Sequence, residues 1–310
     1  MFMNLQKTIK EPIEFKGVGL HNGKEVNICL KPLNKNSGII FKRVDLESDS
    51  NKNIIEAKYN NVHSPVLCTK IKNSYGTSVS TIEHLMAAFY LEGIDNVLVE
   101  INAPEVPILD GSAFDFVEAI RSFGVEEQNS PKKFIKVLKK IEIKDGSKFI
   151  SIEPLEKDLI IDFEIVYKNP LIRTRRKKFK LSDGDFASIY NSRTFCLYED
   201  IDQIRNLGLA KGGSLENAIV VKDNKILNDN GLRSRDEFVS HKILDCLGDL
   251  MLSGHRFFGQ IKTSQGGHQL TNELLIKFFS NETNWEFESF DGKEKDSKDN
   301  SYTRSVAVNA

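Results

Sequence analysis

Cysteine is scarce and scattered in this chain of 310 residues, where Cys29, Cys68, Cys196 and Cys246 form no C-x-x-C pair. That excludes a disulfide framework and a structural zinc knuckle, and isolated free thiols are the reading. Net charge is almost absent, with 43 basic residues against 44 acidic ones. Polynucleotide binding depends on an excess of positive charge, so no nucleic-acid partner is expected. Long apolar runs are missing as well. Nothing approaches the ~20 apolar residues of a membrane span, and the opening MFMNLQKTIKEPIEF lacks the apolar core of a signal peptide. The expectation is a cytoplasmic monomer without stable membrane insertion.

What is present is an ordinary globular composition, 40% hydrophobic and 28% charged, at a length that favours two domains over one. The runs EVNICL (25–30), GIIFKRV (38–44) and PVLCTKI (65–71) read as strands separated by Gly, Asn, Ser and Pro clusters. A helix is predicted at about 80–92, where Ser80 and Glu83 fit a capping box and Ile82, Leu85, Met86 and Phe89 recur at helical spacing. Strand NVLVEIN (96–102) and helix AFDFVEAIRSF (113–123) follow. The polar stretch GVEEQNSPKK (124–133) has no periodicity and carries the expected boundary: a first domain at 1–126, a linker at 127–133 and a second domain at 134–280.

The second half repeats the recipe, with FIKVLKKIEI (134–143), KFISIEP (148–154), LIIDFEIVY (159–167) and RTRRKKFKL (173–181) as a meander ahead of helices. A faint echo sets NVLVE, LDG and DFV of the first half against NAIVV, NDNG and EFV of the second, at an offset of about 120 residues. Two similar α+β halves packed on each other are predicted, a common setting for an active site. Residues 281–310, with the polar run DGKEKDSKDN, read as a flexible tail.

The chemistry concentrates in SRDEFVSHKILDCLGDLML (234–252), a long helix opened by a Ser234–Glu237 capping box. His241, Asp245 and Asp249 follow at four-residue steps, so they form one polar stripe with a drift of only ~40° per step. A solvated helix face explains one such residue more readily than three in register. Zinc favours imidazole nitrogen and carboxylate oxygen, and an i, i+4 pair offers two ligands to one ion. A third ligand must come from His21, His63, His84, His255 or His268. His84 stands beside Glu83, and neighbours on a helix project ~100° apart, so a ligand could sit next to a general base. Spacing alone leaves that open against a core histidine and a capping glutamate. His268, in TSQGGHQLTN, lies between a strand and a helix, either a catalytic loop group or a surface turn histidine. His63 reads as a loop residue, His255 as a cation at a helix end and His21 as a turn residue.

Seven ordered blocks now resemble a known family: GVGLHNGK (17–24), STIEHLMAA (80–88), APEVPILDGSAFDFV (103–117), SRTFCL (192–197), GLAKGGSLENAIV (208–220), FVSHKILDCLGDL (238–250) and GGHQLTN (266–272). The chain resembles the UDP-3-O-acyl-N-acetylglucosamine deacetylases, zinc enzymes of lipid A biosynthesis, over roughly residues 7–280. The resemblance implies an α+β fold of two similar domains, each a small mainly antiparallel sheet on two helices, with the helix layers meeting at the centre. It implies one Zn2+ per chain on His84, His241 and Asp245, with a position left open for water. It further implies Glu83 as general base, Thr194 as a donor to the oxyanion, and His268, kept cationic by Asp249, as stabiliser of developing charge. His268 and Glu83 are rival donors of the proton to the leaving amine.

By the same resemblance Lys242 contacts the sugar nucleotide, and an insertion at about 192–215 with Phe195, Ile201 and Ala210 lines a passage for the acyl chain, each buried CH2 contributing ~0.8 kcal/mol. The pattern departs at Gln265, three positions before His268, where some members carry a basic residue, which puts a diphosphate contact there in question. The competing class is a sugar-nucleotide binder with a purely structural metal, which would need no base beside an open coordination position. Within enzymes the rival is an amidohydrolase of another acylated amino sugar.

Overall fold

The computed structural model describes residues 5–47 and 51–289. The first half runs β1 (Leu5–Ile9), β2 (Ile13–Val18), β3 (Glu25–Pro32), β4 (Ile39–Arg43), β5 (Ile54–Glu56), β6 (Lys70–Lys72), β7 (Ser78–Ser80), α1 (Glu83–Glu92), β8 (Val97–Ile101), α2 (Phe114–Phe123) and β9 (Val125–Pro131). Strands β2, β3, β8, β4 and β5 form one sheet in that order, antiparallel except where β4 runs beside β8. Period-two alternation turns Val26, Ile28 and Leu30 of β3 and Val97, Val99 and Ile101 of β8 inward, which sets the register.

The second half runs β10 (Lys133–Val137), β11 (Ile141–Asp145), β12 (Lys148–Glu153), β13 (Leu159–Ile165), β14 (Arg175–Lys180), α3 (Ala187–Tyr190), β15 (Phe195–Leu197), α4 (Ile201–Asn206), β16 (Ile219–Lys222), β17 (Lys225–Ile226), α5 (Glu237–Met251), β18 (Arg256–Ser264), α6 (His268–Phe279) and β19 (Trp285–Ser289). The nine-residue β18 organises the main sheet: it pairs in parallel with β10 and β13 and antiparallel with β12. Strands β15, β16 and β17 make a separate small sheet.

The fold is α+β. Helices α1 and α5 pack on each other, α2 touches β2, and α6 touches β11 and β12, so the helices lie between the two large sheets. Every residue of α5 except Lys242 is buried. The two helices approach most closely at Gly248, where an added Cβ would stand 2.0 Å from the Glu83 carbonyl oxygen. Only glycine fits there, and the packing offsets its ~1 kcal/mol helix penalty.

Several expectations are corrected. The stretch expected to be an irregular linker is β9, antiparallel to β1. It lacks apolar alternation because it is an exposed edge strand, held by its ladder and by Asn96, whose amide donates to Gln6 (2.9 Å) and Gln128 (2.7 Å). Of PVLCTKI only Lys70 and Ile71 are in a strand, because Ser64 (φ 53°) and Leu67 (φ 62°) are left-handed and break the extension. The meander of the second half is interrupted, since β10 pairs with β18 and β19 and not with β11. Within the expected tail, Trp285–Ser289 is a strand on β10 with Trp285 buried, while 290–310 lie outside the described residues. The echo had matched β8 with β16; the repeated unit is helix, strand, helix, as α1, β8, α2 and α5, β18, α6.

Gly248→Ala should lower the unfolding midpoint by several degrees, the effect of about 1–3 kcal/mol of overpacking. A melting curve matching the unsubstituted chain would refute this close approach.

Candidate metal centre and active site

Neither capping box forms. Helix α1 begins at Glu83 itself and α5 at Glu237, and neither has a side-chain cap among the described residues. Both glutamates are drawn to distant partners instead. Glu83 Oε2 accepts from the Thr69 backbone N–H at 3.0 Å, and Glu237 accepts from Arg193 Nε at 2.8 Å and the Arg233 N–H at 2.6 Å. The polar stripe of α5 faces α1 and not water: His241, Asp245 and Asp249 are all buried.

Facing them, α1 supplies His84. Ligand atoms of His84, His241 and Asp245 all lie within 4.8 Å of one another. Asp245 Oδ1 stands 3.6 Å from His84 Nε2 and 3.4 Å from His241 Nε2. Two ligands at a tetrahedral angle about a metal 2.0–2.1 Å away are about 3.4 Å apart, so the donor set fits a metal of the zinc type. The His241 Nδ1–H donates to the Ser192 carbonyl at 3.0 Å, which leaves the Nε2 lone pair turned toward the cluster. Burial lowers the His241 pKa to about 3, so the ring stays neutral and ready to ligate. Lys242 Nζ sits 2.5 Å from Asp245 Oδ2. Against burial, its charged neighbours, Lys242 among them, hold the Asp245 carboxyl well below its usual range. One carboxylate oxygen thus serves the cluster and the other serves Lys242.

Next to this triad stand two buried titratable groups. Burial raises the Glu83 carboxyl above the ordinary glutamate value. His268, the first residue of α6, directs Nε2 to within 3.9 Å of Glu83 Oε1 and binds Asp249 Oδ2 through Nδ1 at 2.8 Å. Burial alone would lower its pKa, but the Asp249 carboxylate outweighs that and raises it to about 9. A pKa of about 9 makes His268 cationic near neutral pH, and the residue is buried against Asp249 rather than placed on a surface turn.

A cavity of about 680 Å³ holds Glu83, His84, His241, Asp245, His268, Lys242, Thr194 and Phe195 together. Thr194 is fixed by backbone bonds from its N–H to Gly111 (2.7 Å) and from Ile219 to its carbonyl (2.8 Å). Gly111 is left-handed (φ 84°), and a Cβ there would meet the Asn217 carbonyl at 2.0 Å. Asp249 lies behind His268. Ile201 and Ala210 line a second, mostly apolar cavity of about 370 Å³, which shares Leu20, Leu67, Thr194 and Phe195 with the first.

Of the remaining histidines, His255 was read as a helix-end cation, but burial lowers its pKa to about 4 and its ring packs edge-on against Phe287 at 5.0 Å. His63 lies outside both cavities. His21 is buried on the apolar cavity with neither ring nitrogen hydrogen-bonded. Sequence reasoning missed Thr69, the Ser192 carbonyl, and Lys144 and Lys148, which share the lining of the larger cavity with Gln265. No local pattern marks them, since each acts across the chain.

The family described as UDP-3-O-acyl N-acetylglycosamine deacetylase matches residues 6–280. The chain belongs to this family. It is 41% identical to the UDP-3-O-acyl-N-acetylglucosamine deacetylase of Actinobacillus pleuropneumoniae serotype 3 (strain JL03), over 94% of this chain and 95% of the relative. The proteins of the same name from Pseudoalteromonas atlantica (strain T6c / ATCC BAA-1087) and Pasteurella multocida (strain Pm70) are 42% and 41% identical, over 94% and 93% of this chain and 95% and 94% of theirs. The family thus coincides with the span that contains both cavities.

His241→Ala should abolish stoichiometric metal binding, measured by elemental analysis after dialysis, while Asp249→Ala should retain the metal. Equal metal content in the two variants would contradict the division into a ligand triad and a neighbouring His268–Asp249 pair.

Proposed function

We propose that the chain hydrolyses the N-acetyl group of UDP-3-O-(3-hydroxyacyl)-N-acetylglucosamine, releasing acetate, the committed step of lipid A biosynthesis, in the cytoplasm of a Gram-negative bacterium. The observation that carries this reading is the His84, His241, Asp245 triad flanked by Glu83 and His268 in one cavity that continues into an apolar one. Zn2+, one per chain, is the ion this reading assigns to the triad, because two imidazoles and one carboxylate are one of its catalytic donor sets. When bound, it supplies Lewis acidity toward a water and the acetamide carbonyl.

The chain's own residues do the rest. Glu83 takes a proton from the attacking water, and burial makes its carboxylate a stronger base than a free one. Thr194, at the junction of the two cavities, donates to the oxyanion. The His268 cation stabilises the developing negative charge, and either it or protonated Glu83 gives the amine its proton. Lys242, Lys144 and Lys148 bring positive charge to the cavity, suited to a diphosphate, with Gln265 contributing none. Phe195, Ile201 and Ala210 receive the acyl chain. No helix among the described residues is long and apolar enough to cross a membrane; in this reading the chain acts as a monomer and its apolar cavity takes up the lipid portion of the substrate.

Acetate release from UDP-3-O-acyl-N-acetylglucosamine should be lost to a chelator and restored by added zinc; release that ignores the chelator would refute the proposal. Glu83→Ala should keep its metal and lose turnover by about 10²–10⁴-fold. The pH–rate profile tests His268 separately. A cation with a pKa of about 9 is lost as pH rises through that value, so activity should fall on the alkaline side there. Asp249→Asn removes the strongest of the groups that raise the pKa, while burial still lowers it and Glu83 and Asp245 still raise it, so the alkaline limb should move to lower pH. An unmoved limb would separate Asp249 from His268.

A further inference from the structure

We infer that Thr69 is a positioning residue for the reaction proposed above, holding the general base Glu83 and the His268–Asp249 pair in one fixed relation through its backbone N–H and its hydroxyl. Thr69 is buried, at 2% exposure, on the segment that leads into β6. Its N–H donates to Glu83 Oε2 at 3.0 Å. That leaves Oε1 as the free oxygen of the base, and Oε1 is the atom that stands 3.9 Å from His268 Nε2.

The hydroxyl acts on the other partner. Thr69 Oγ1 lies 2.5 Å from Asp249 Oδ1 and 3.0 Å from His268 Nδ1. A hydroxyl has one proton and an ionised carboxylate has none, so Oγ1 donates to Asp249 and must accept from His268. Nδ1 therefore carries a proton shared between Thr69 Oγ1 and Asp249 Oδ2, the latter at 2.8 Å. With Nδ1 committed, Nε2 is the only ring nitrogen able to exchange a proton with the site. One residue thus selects the working oxygen of Glu83 and the working nitrogen of His268.

The backbone explains why Thr69 can do this. Left-handed Ser64 and Leu67 turn the chain, and the Ile82 N–H donates to the Thr69 carbonyl at 3.4 Å. Thr69 is thereby tied to the start of α1 on both of its backbone groups and reaches across to α5 and α6 with its side chain.

The test compares Thr69→Val, which keeps the shape and loses the hydroxyl, with Thr69→Ser, which restores it. Thr69→Val should keep metal content, unfolding midpoint and KM within about threefold, lose kcat by about 10- to 100-fold, and shift the alkaline limb of the pH–rate profile. Thr69→Ser should recover most of kcat and the original profile. Thr69→Val with an unchanged kcat and profile beside an active unsubstituted chain would overturn this inference alone. So would a loss in Thr69→Val that tracks lost metal or lost folding, or a Thr69→Ser variant as impaired as Thr69→Val. An unsubstituted chain that releases no acetate would overturn the functional reading, and this inference with it.

Discussion

Asp245, buried between two helices, sets the terms for the rest of the molecule. An ion moved out of water loses several kcal/mol of solvation, and a buried carboxylate persists only when its partners return that energy. Lys242 on its own helix returns part through Oδ2, and Oδ1 is left facing the nitrogens of His241 and His84. The His241 imidazole is neutral, so the remaining compensation is what a divalent cation provides. His84 belongs to α1 and the other two to α5. Closing the two halves on each other and assembling the ligand set are one event, and Gly248 sets how near the helices can come.

The two proton-handling groups share a placement: Glu83 opens α1 and His268 opens α6. A helix N-terminus favours negative charge and disfavours positive charge. That helps keep Glu83 a carboxylate, in part offsetting its burial, and works against His268 as a cation. The Asp249 carboxylate, from the third helix, is what reverses the balance at His268. Opposite behaviour at two similar positions therefore comes from one buried acid supplied in trans by α5.

Helical register made part of this legible in advance. His241, Asp245 and Asp249 shared a stripe by spacing alone, and the structure puts all of them on one buried face. The choice of His84 was not legible by spacing, because its distance to Asp245 is set by the packing of α1 on α5. The capping boxes expected at Ser80–Glu83 and Ser234–Glu237 do not form for a similar reason: a capping box is a local pattern, and the carboxylates are taken up by Thr69 and by Arg193 and Arg233 instead. The edge strand β9 escaped notice because VEEQNSP is polar almost throughout, and β19, although WEFES alternates, because it is short and runs straight into a polar segment. Thr69 was invisible altogether, since a threonine in a run of β-formers looks like a strand residue until the left-handed turn at Leu67 is known.

Phe195 ties the apolar cavity to the ligand cluster. Its ring packs on Phe238 at 4.9 Å and lies 6.4 Å from the ring of His241, and it lines both cavities together with Leu20 and Leu67. Pressure from an occupant of the passage is therefore borne by a side chain that also backs a ligand histidine. Each CH2 of an occupant contributes ~0.8 kcal/mol on burial, far from the bond that reacts. Such remote binding energy raises kcat only if it is coupled to the geometry of the reacting groups. In the reading proposed above, a wall common to both cavities would be the physical means of that coupling, and the bond from the Thr194 N–H to the Gly111 carbonyl holds the segment carrying Phe195 to the first half.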